Sequence, residues 1–116
     1  MSGNASEVSL EVFSDSGVLQ WSGKPLDDAK VVLPIPDAPG AIVLLGGPIV
    51  GRFRNVLRVS ATGSVVWQAE LPDVDSSDAY VSLQWMQTVL VANTLSGYSV
   101  RLDAENGRIV DTIFTK

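Results

Sequence analysis

Gly17-Val18-Leu19-Gln20-Trp21, Gly63-Ser64-Val65-Val66-Trp67 and Gly107-Arg108-Ile109-Val110-Asp111 are three copies of one unit, a glycine turn followed by a strand. The glycines lie 46 and 44 residues apart. That period belongs to blade-like all-β units and is too long for helical repeats of about 33 to 34 residues. A second pattern recurs independently of the first: Asp28-Ala29-Lys30-Val31-Val32-Leu33 and Asp78-Ala79-Tyr80-Val81-Ser82-Leu83 share Asp-Ala-x-Val-x-Leu. Together they divide a single β-repeat domain, 1–116, into a half unit over 8–22 and full units over 28–71 and 78–114.

Strand signals fill these units. Short β-branched and apolar runs are punctuated by Gly, Pro, Asn, Asp and Ser, and no window sustains a helical period. Ten strands are expected, over 8–13, 18–22, 30–33, 41–45, 52–60, 64–71, 80–85, 88–92, 97–102 and 108–114. Pro34, Pro36, Pro39, Pro48 and Pro72 fall at strand ends or in loops, where a missing N–H removes no ladder bond, and Pro25 lies between units. Side chains alternate along a strand, so Val81, Leu83 and Trp85 are expected on one buried face. Val65 and Trp67 share a face by the same rule, as do Leu19 and Trp21, and the repeated tryptophans read as core.

Composition narrows the function classes. With 46% hydrophobic and 18% charged residues the chain lies outside the disordered range and has enough apolar surface for one core. A net charge of −5 argues against nucleic acid and against an anionic membrane as partners, since both reward a basic stripe. Residues 1–7 lack the basic and apolar regions of a signal peptide, and the longest apolar runs, 31–35 and 41–45, fall far short of the ~20 residues a spanning helix needs, so a cytoplasmic location is expected. The absence of cysteine removes disulfides and thiolate chemistry. The absence of histidine removes imidazole bases and ligands, the usual means of proton transfer near neutral pH.

Leu102-Asp103-Ala104-Glu105-Asn106-Gly107-Arg108-Ile109-Val110 and Val59-Ser60-Ala61-Thr62-Gly63-Ser64-Val65-Val66-Trp67 resemble the repeat of quinoprotein-like (PQQ-type) β-propellers, whose blades carry Leu-Asp-Ala-x-Thr-Gly-Lys-x-x-Trp. The resemblance implies an all-β fold of antiparallel, propeller-like blades, about two and a half four-stranded units. It also implies that the glycine turns the hairpin between the third and fourth strands and that the tryptophan docks between neighbouring blades. Asp111 stands where the third copy would carry that tryptophan. Because a propeller closes with about four to eight blades, the ring stays open on this count, and three closures present themselves: chains assemble, the strands close as a β-sandwich or barrel, or the chain belongs to a larger polypeptide. Some members of the family are dehydrogenases with a quinone and calcium at the ring centre. The residues of such a site do not map onto this chain, so no cofactor and no metal are expected.

Other candidates were weighed on their own chemistry. Asp73-Val74-Asp75-Ser76-Ser77-Asp78 opens like a calcium loop, but the sixth and twelfth positions are Asp78 and Gln84 where glycine and glutamate are needed, which leaves a solvated connection. Arg52, Arg54 and Arg58 share parity along one expected strand, suited to gripping an anion, with carboxylate pairing the favoured outcome in so acidic a chain. Gly46-Gly47-Pro48-Ile49-Val50-Gly51 matches no phosphate-loop pattern, and Trp85-Met86 offers an aromatic contact to a partner or a place in the core. No spacing singles out a carboxylate pair for glycoside chemistry. The sequence therefore assigns no catalytic residue and points to a noncatalytic protein-interaction or scaffold module, pairing with itself as a homo-oligomer or with another protein through sheet edges or loops. The alternative is a ligand-binding or enzymatic fragment of a quinoprotein-like propeller.

Overall fold

The computed structural model describes residues 10–13, 19–23, 29–36, 38–46, 52–62, 64–73 and 77–115. Regular structure among them is entirely β. In chain order the strands are β1 (Leu10–Phe13), β2 (Leu19–Gly23), β3 (Ala29–Pro34), β4 (Ala41–Leu45), β5 (Arg52–Phe53), β6 (Val56–Val59), β7 (Val65–Gln68), β8 (Asp78–Met86), β9 (Val89–Thr94), β10 (Tyr98–Leu102) and β11 (Ile109–Phe114). β1 and β2 pair antiparallel. β3, β4, β6 and β7 form a four-stranded antiparallel sheet in that order, and β8 to β11 form a second meander to which β5 adds as a parallel edge strand beside β8. None of these sheets closes into a barrel.

One expected strand, 52–60, is two. The chain breaks at Arg54-Asn55, so that β5 joins the second sheet while β6 stays in the first. Asn55 holds the crossing: its Nδ2 donates to the carbonyls of Leu45 (3.0 Å) and Tyr80 (2.8 Å), and its Oδ1 accepts the Tyr80 N–H (2.8 Å). A buried amide that meets three backbone groups across two sheets supplies the polar partners that the interrupted ladder would otherwise lack.

The repeated glycine units share a register defect. Trp67 pairs with Arg58 but Val65 with Val59, so Val66 is an extra residue; Asp111 pairs with Arg101 but Ile109 with Leu102, so Val110 is extra; Trp21 pairs with Val12 but Leu19 with Phe13, so Gln20 is extra. The fourth residue of each copy is thus a β-bulge, which bends the strand and, in the second copy, turns Trp67 to the face opposite Val65. The expectation that Val65 and Trp67 share a face fails for this reason: Val65 is exposed and Trp67 is only 7% exposed. A further bulge at Val81, between the Tyr80–Thr94 and Ser82–Asn93 pairs, corrects the reading of β8 in the same way, with Tyr80 and Leu83 buried and Val81 exposed.

The first sheet is buried on both faces along β4, where Ile42 to Leu45 are all covered. Ile42, Leu44, Val56 and Trp67 face the second sheet and meet Leu83, Leu90, Ala92, Val100 and Leu102 in one core. Val43, Leu45, Leu57 and Val59 point the other way, into a smaller cluster with Phe53 and Ala79. At the β3–β4 connection Gly40 is required, since φ is +92° and a Cβ would sit 2.2 Å from the Val59 carbonyl oxygen.

Candidate functional site

The seam between the two sheets holds a set of long-range polar contacts. Trp67 lies across the turn between β10 and β11, and its Nε1 donates to the Ala104 carbonyl at 2.8 Å. Arg58, its cross-strand partner, donates to the same oxygen at 2.8 Å. That turn is preorganised by its own sequence: the Asp103 carboxylate accepts the Glu105 N–H, Asn106 Oδ1 accepts the Arg108 N–H, and Gly107 N donates back to the Asp103 carbonyl. Gly107 has φ +75°, and a Cβ there would fall 2.5 Å from the Trp67 ring, so the glycine serves both the turn and the seat of the indole. In the preceding hairpin Ser60 takes the place of Asp103, its Oγ accepting from the Thr62 and Ser64 N–H groups.

Beside the seam an open cleft of about 330 Å³ is lined by Arg52, Arg54, Glu70, Leu71, Pro72, Asp73 and Ile109. Its arginines clamp the segment that links the sheets. Arg52 donates to the carbonyls of Pro72 (2.8 Å) and Leu71 (3.1 Å), and Arg54 to those of Ala69 and Gln68 (both 2.9 Å). Gln68 returns a bond to the Arg54 carbonyl. Backbone carbonyls hold all three arginines, and the expected carboxylate pairing is seen at Arg52. Only Arg52 comes within 4.0 Å of a carboxylate among the described residues, that of the solvent-exposed Asp73, a geometry worth little. The strand break separates the three side chains: Arg52 and Arg54 face the cleft, while Arg58 belongs to the seam.

Glu70 is spent on structure as well, its Oε1 accepting the Ile109 N–H at 2.8 Å while its own N–H donates to the Gly107 carbonyl. The buried Tyr80 hydroxyl donates to the Glu70 carbonyl. Burial, reinforced by the nearby Asp78 and Glu70 carboxylates and opposed by Arg54 and Arg52, pushes that phenol well above its ordinary value, so it remains a hydrogen-bond donor. The cleft therefore presents charge and shape. Glu70, Arg52 and Arg54 hold backbone partners, the Tyr80 phenol lies buried behind them, and Asp73 is left as a solvent-exposed acid on the lining.

Of the remaining sequence candidates, Asp78 is fully buried and accepts from the N–H groups of Ala79 and Ser96 and from the Ser96 hydroxyl, which fixes the β9–β10 turn. Residues 74–76 of that acidic stretch and 47–51 of the glycine-rich one lie outside the described residues. No cluster of metal-ligating side chains occurs among the described residues. Trp85 packs half-buried against the core with Nε1 on the Pro34 carbonyl (2.9 Å), whereas Met86 is exposed. Asn55, Tyr80 and Glu70 were not singled out by the sequence, since an isolated Asn, Tyr or Glu in a strand-rich chain carries no spacing signal.

Apolar surface is concentrated along the outermost strands. β7 and β11 are edge strands of their sheets and expose Val65 and Val66, and Val110 (67%), Ile113 and Phe114 (57%). The Phe114 ring lies tilted at 52° against Tyr98, with centroids 5.0 Å apart, at the end of that edge.

A family model described as a domain of unknown function, DUF7957, matches residues 41–114, from the start of β4 to the end of β11. The chain belongs to the DUF7957 family. The Trp67–Ala104 contact, the clamped linker and the cleft all lie within the DUF7957 span. No curated protein and no solved structure matches the chain.

Proposed function

We propose that this chain is a noncatalytic interaction module of propeller-like repeats that associates with itself through the outer edges of its sheets. The observation that carries the reading is the run of exposed apolar side chains on β7 and β11, where Val66 and Val110 hold the same bulge position of two repeats. An edge strand offers unpaired backbone groups, and apolar residues beside them favour pairing with another chain. The propeller-like part of the reading is supported by two sequential four-stranded meanders and by an indole seated on the next unit's turn. The commitment of Arg52, Arg54 and Glu70 to backbone partners favours a binding role over a chemical one.

The test is the solution molar mass of the full chain, measured by light scattering on a sizing column over a hundredfold range of concentration. A whole multiple of 12.3 kDa is expected, falling to the single-chain value in Val110→Lys or Phe114→Lys. A single-chain mass throughout the range would refute self-association.

A further inference from the structure

We infer that the outer face of the second sheet is a solvated end cap, so that self-association leaves this face open and no second copy stacks on it. The two meanders superpose by their pairing. Trp67 pairs with Arg58 as Asp111 pairs with Arg101, and the ladders carry this equivalence inward: Val56 matches Ser99, Ile42 and Leu44 match Val91 and Asn93, and Val31 and Leu33 match Ser82 and Gln84. In the first sheet these positions form the face that receives the neighbouring sheet, and apart from Arg58 they are apolar. In the second sheet the same positions are Ser82, Gln84, Val91, Asn93, Ser99, Arg101 and Asp111, and Met86, Val89 and Ile113 stand exposed at the margins of that face.

The side chains also behave differently. Arg58 and Trp67 reach forward together to Ala104 of the next unit. Arg101 and Asp111, at the same two positions, turn on each other in an ion pair of 3.6 Å, and Asn93 Nδ2 donates to Ser82 Oγ at 2.8 Å across the ladder. Ser82, Asn93, Arg101 and Asp111 are satisfied laterally across this face, and covering them with an apolar sheet would strip water from an ion pair at a net cost. Terminal units of repeat stacks are polar on their outer face for this reason. The inference sharpens the edge-association reading by assigning which surface stays out of it.

Two variants of the full chain test it. Gln84→Lys adds a charge to the β8 side of the outer face and is expected to leave both the molar mass and the melting temperature, within about 2 °C, at wild-type values. A lower mass or a larger loss would mean the face is covered, and the inference would fall. The quadruple variant Ser82→Val/Gln84→Leu/Asn93→Leu/Asp111→Trp restores the residue types of the covered face and is expected at least to double the weight-average mass as concentration rises. If it folds by circular dichroism and keeps the wild-type mass, polarity is not what closes the stack. Both are read relative to wild type, so a monomeric wild type would remove edge association and leave this inference standing.

Discussion

Replacing Gly107 by alanine tests whether the indole seat and the turn are one device. Two costs are distinguishable. A residue with a Cβ at φ +75° is disfavoured by about 1–2 kcal/mol whatever surrounds it. The new methyl also overlaps the Trp67 ring at 2.5 Å, and relieving such overpacking costs about 1–3 kcal/mol. Gly107→Ala is therefore expected to destabilise by about 2–5 kcal/mol. Trp67→Ala empties the seat and costs about 3–5 kcal/mol by itself. In the Trp67→Ala background only the backbone part remains, so Gly107→Ala should cost about 1–2 kcal/mol, a coupling of about 1–3 kcal/mol between the sites. Urea unfolding followed by far-ultraviolet circular dichroism measures all four corners, and avoids fluorescence because one variant removes a fluorophore. Should Trp67→Ala leave too little stability to fit, Trp67→Leu opens the same space at smaller loss. Additive costs, with no coupling beyond error, would refute the contact reasoning and leave only the turn.

Three further outcomes follow from the seam. Trp67→Phe loses the Nε1 bond, but the Ala104 carbonyl keeps Arg58, so a loss of only about 0.5–1.5 kcal/mol is expected in the same assay. Asn55→Ala strands two carbonyls and one N–H in the interior and should cost more than about 3 kcal/mol, with hydrogen exchange rising at Tyr80. Because the folded state holds the Tyr80 phenol above its ordinary value, the stability it contributes is complete below pH ~10 and declines above it by up to about 1.4 kcal/mol per pH unit as the unfolded chain releases the proton. Urea midpoints of wild type and Tyr80→Phe between pH 9 and 11.5 should show the steeper alkaline fall in wild type; parallel curves would contradict the burial of the hydroxyl.

The repeat was legible because backbone requirements recur in sequence: glycine returns at 17, 63 and 107, and the same strand follows each time. What the spacing concealed was the bulge. Strict alternation puts Val65 with Trp67 and Val81 with Leu83, and one extra residue reverses both assignments. The Asp-Ala-x-Val-x-Leu pattern misled in a related way, since the first strand of each full unit bulges at a different place, Lys30 in one and Val81 in the other; beyond it Leu33 matches Gln84, not Leu83. The arginines shared parity only on a strand that does not exist as one piece. The partners of Arg52 and Arg54 are main-chain carbonyls of 68–72 and that of Arg58 is the Ala104 carbonyl, which no residue pattern advertises, because every residue carries one. Asn55 escaped notice for the same reason.

Conserved geometry and divergent chemistry thus separate within each repeat. The glycine and the bulge set where the next side chain points, and that side chain decides what the sheet does with its forward face. At Trp67 it is a long apolar donor that reaches the adjoining turn, and Arg58 is drawn along to the same carbonyl. At Asp111 it is a short acid that reaches only its own cross-strand neighbour, and Arg101 is drawn back to it. Asp111→Asn distinguishes a cap held by charge from one held by shortness alone. The amide keeps the size and loses the ion pair, whose half-exposed geometry is worth no more than about 1 kcal/mol. A variant that stays at the wild-type mass while losing that little stability would locate the cap in the brevity of the side chain and in the polar row beside it, Ser82, Gln84, Asn93 and Ser99. A rise in mass on Asp111→Asn would instead make the single charge the element that keeps the outer face in water.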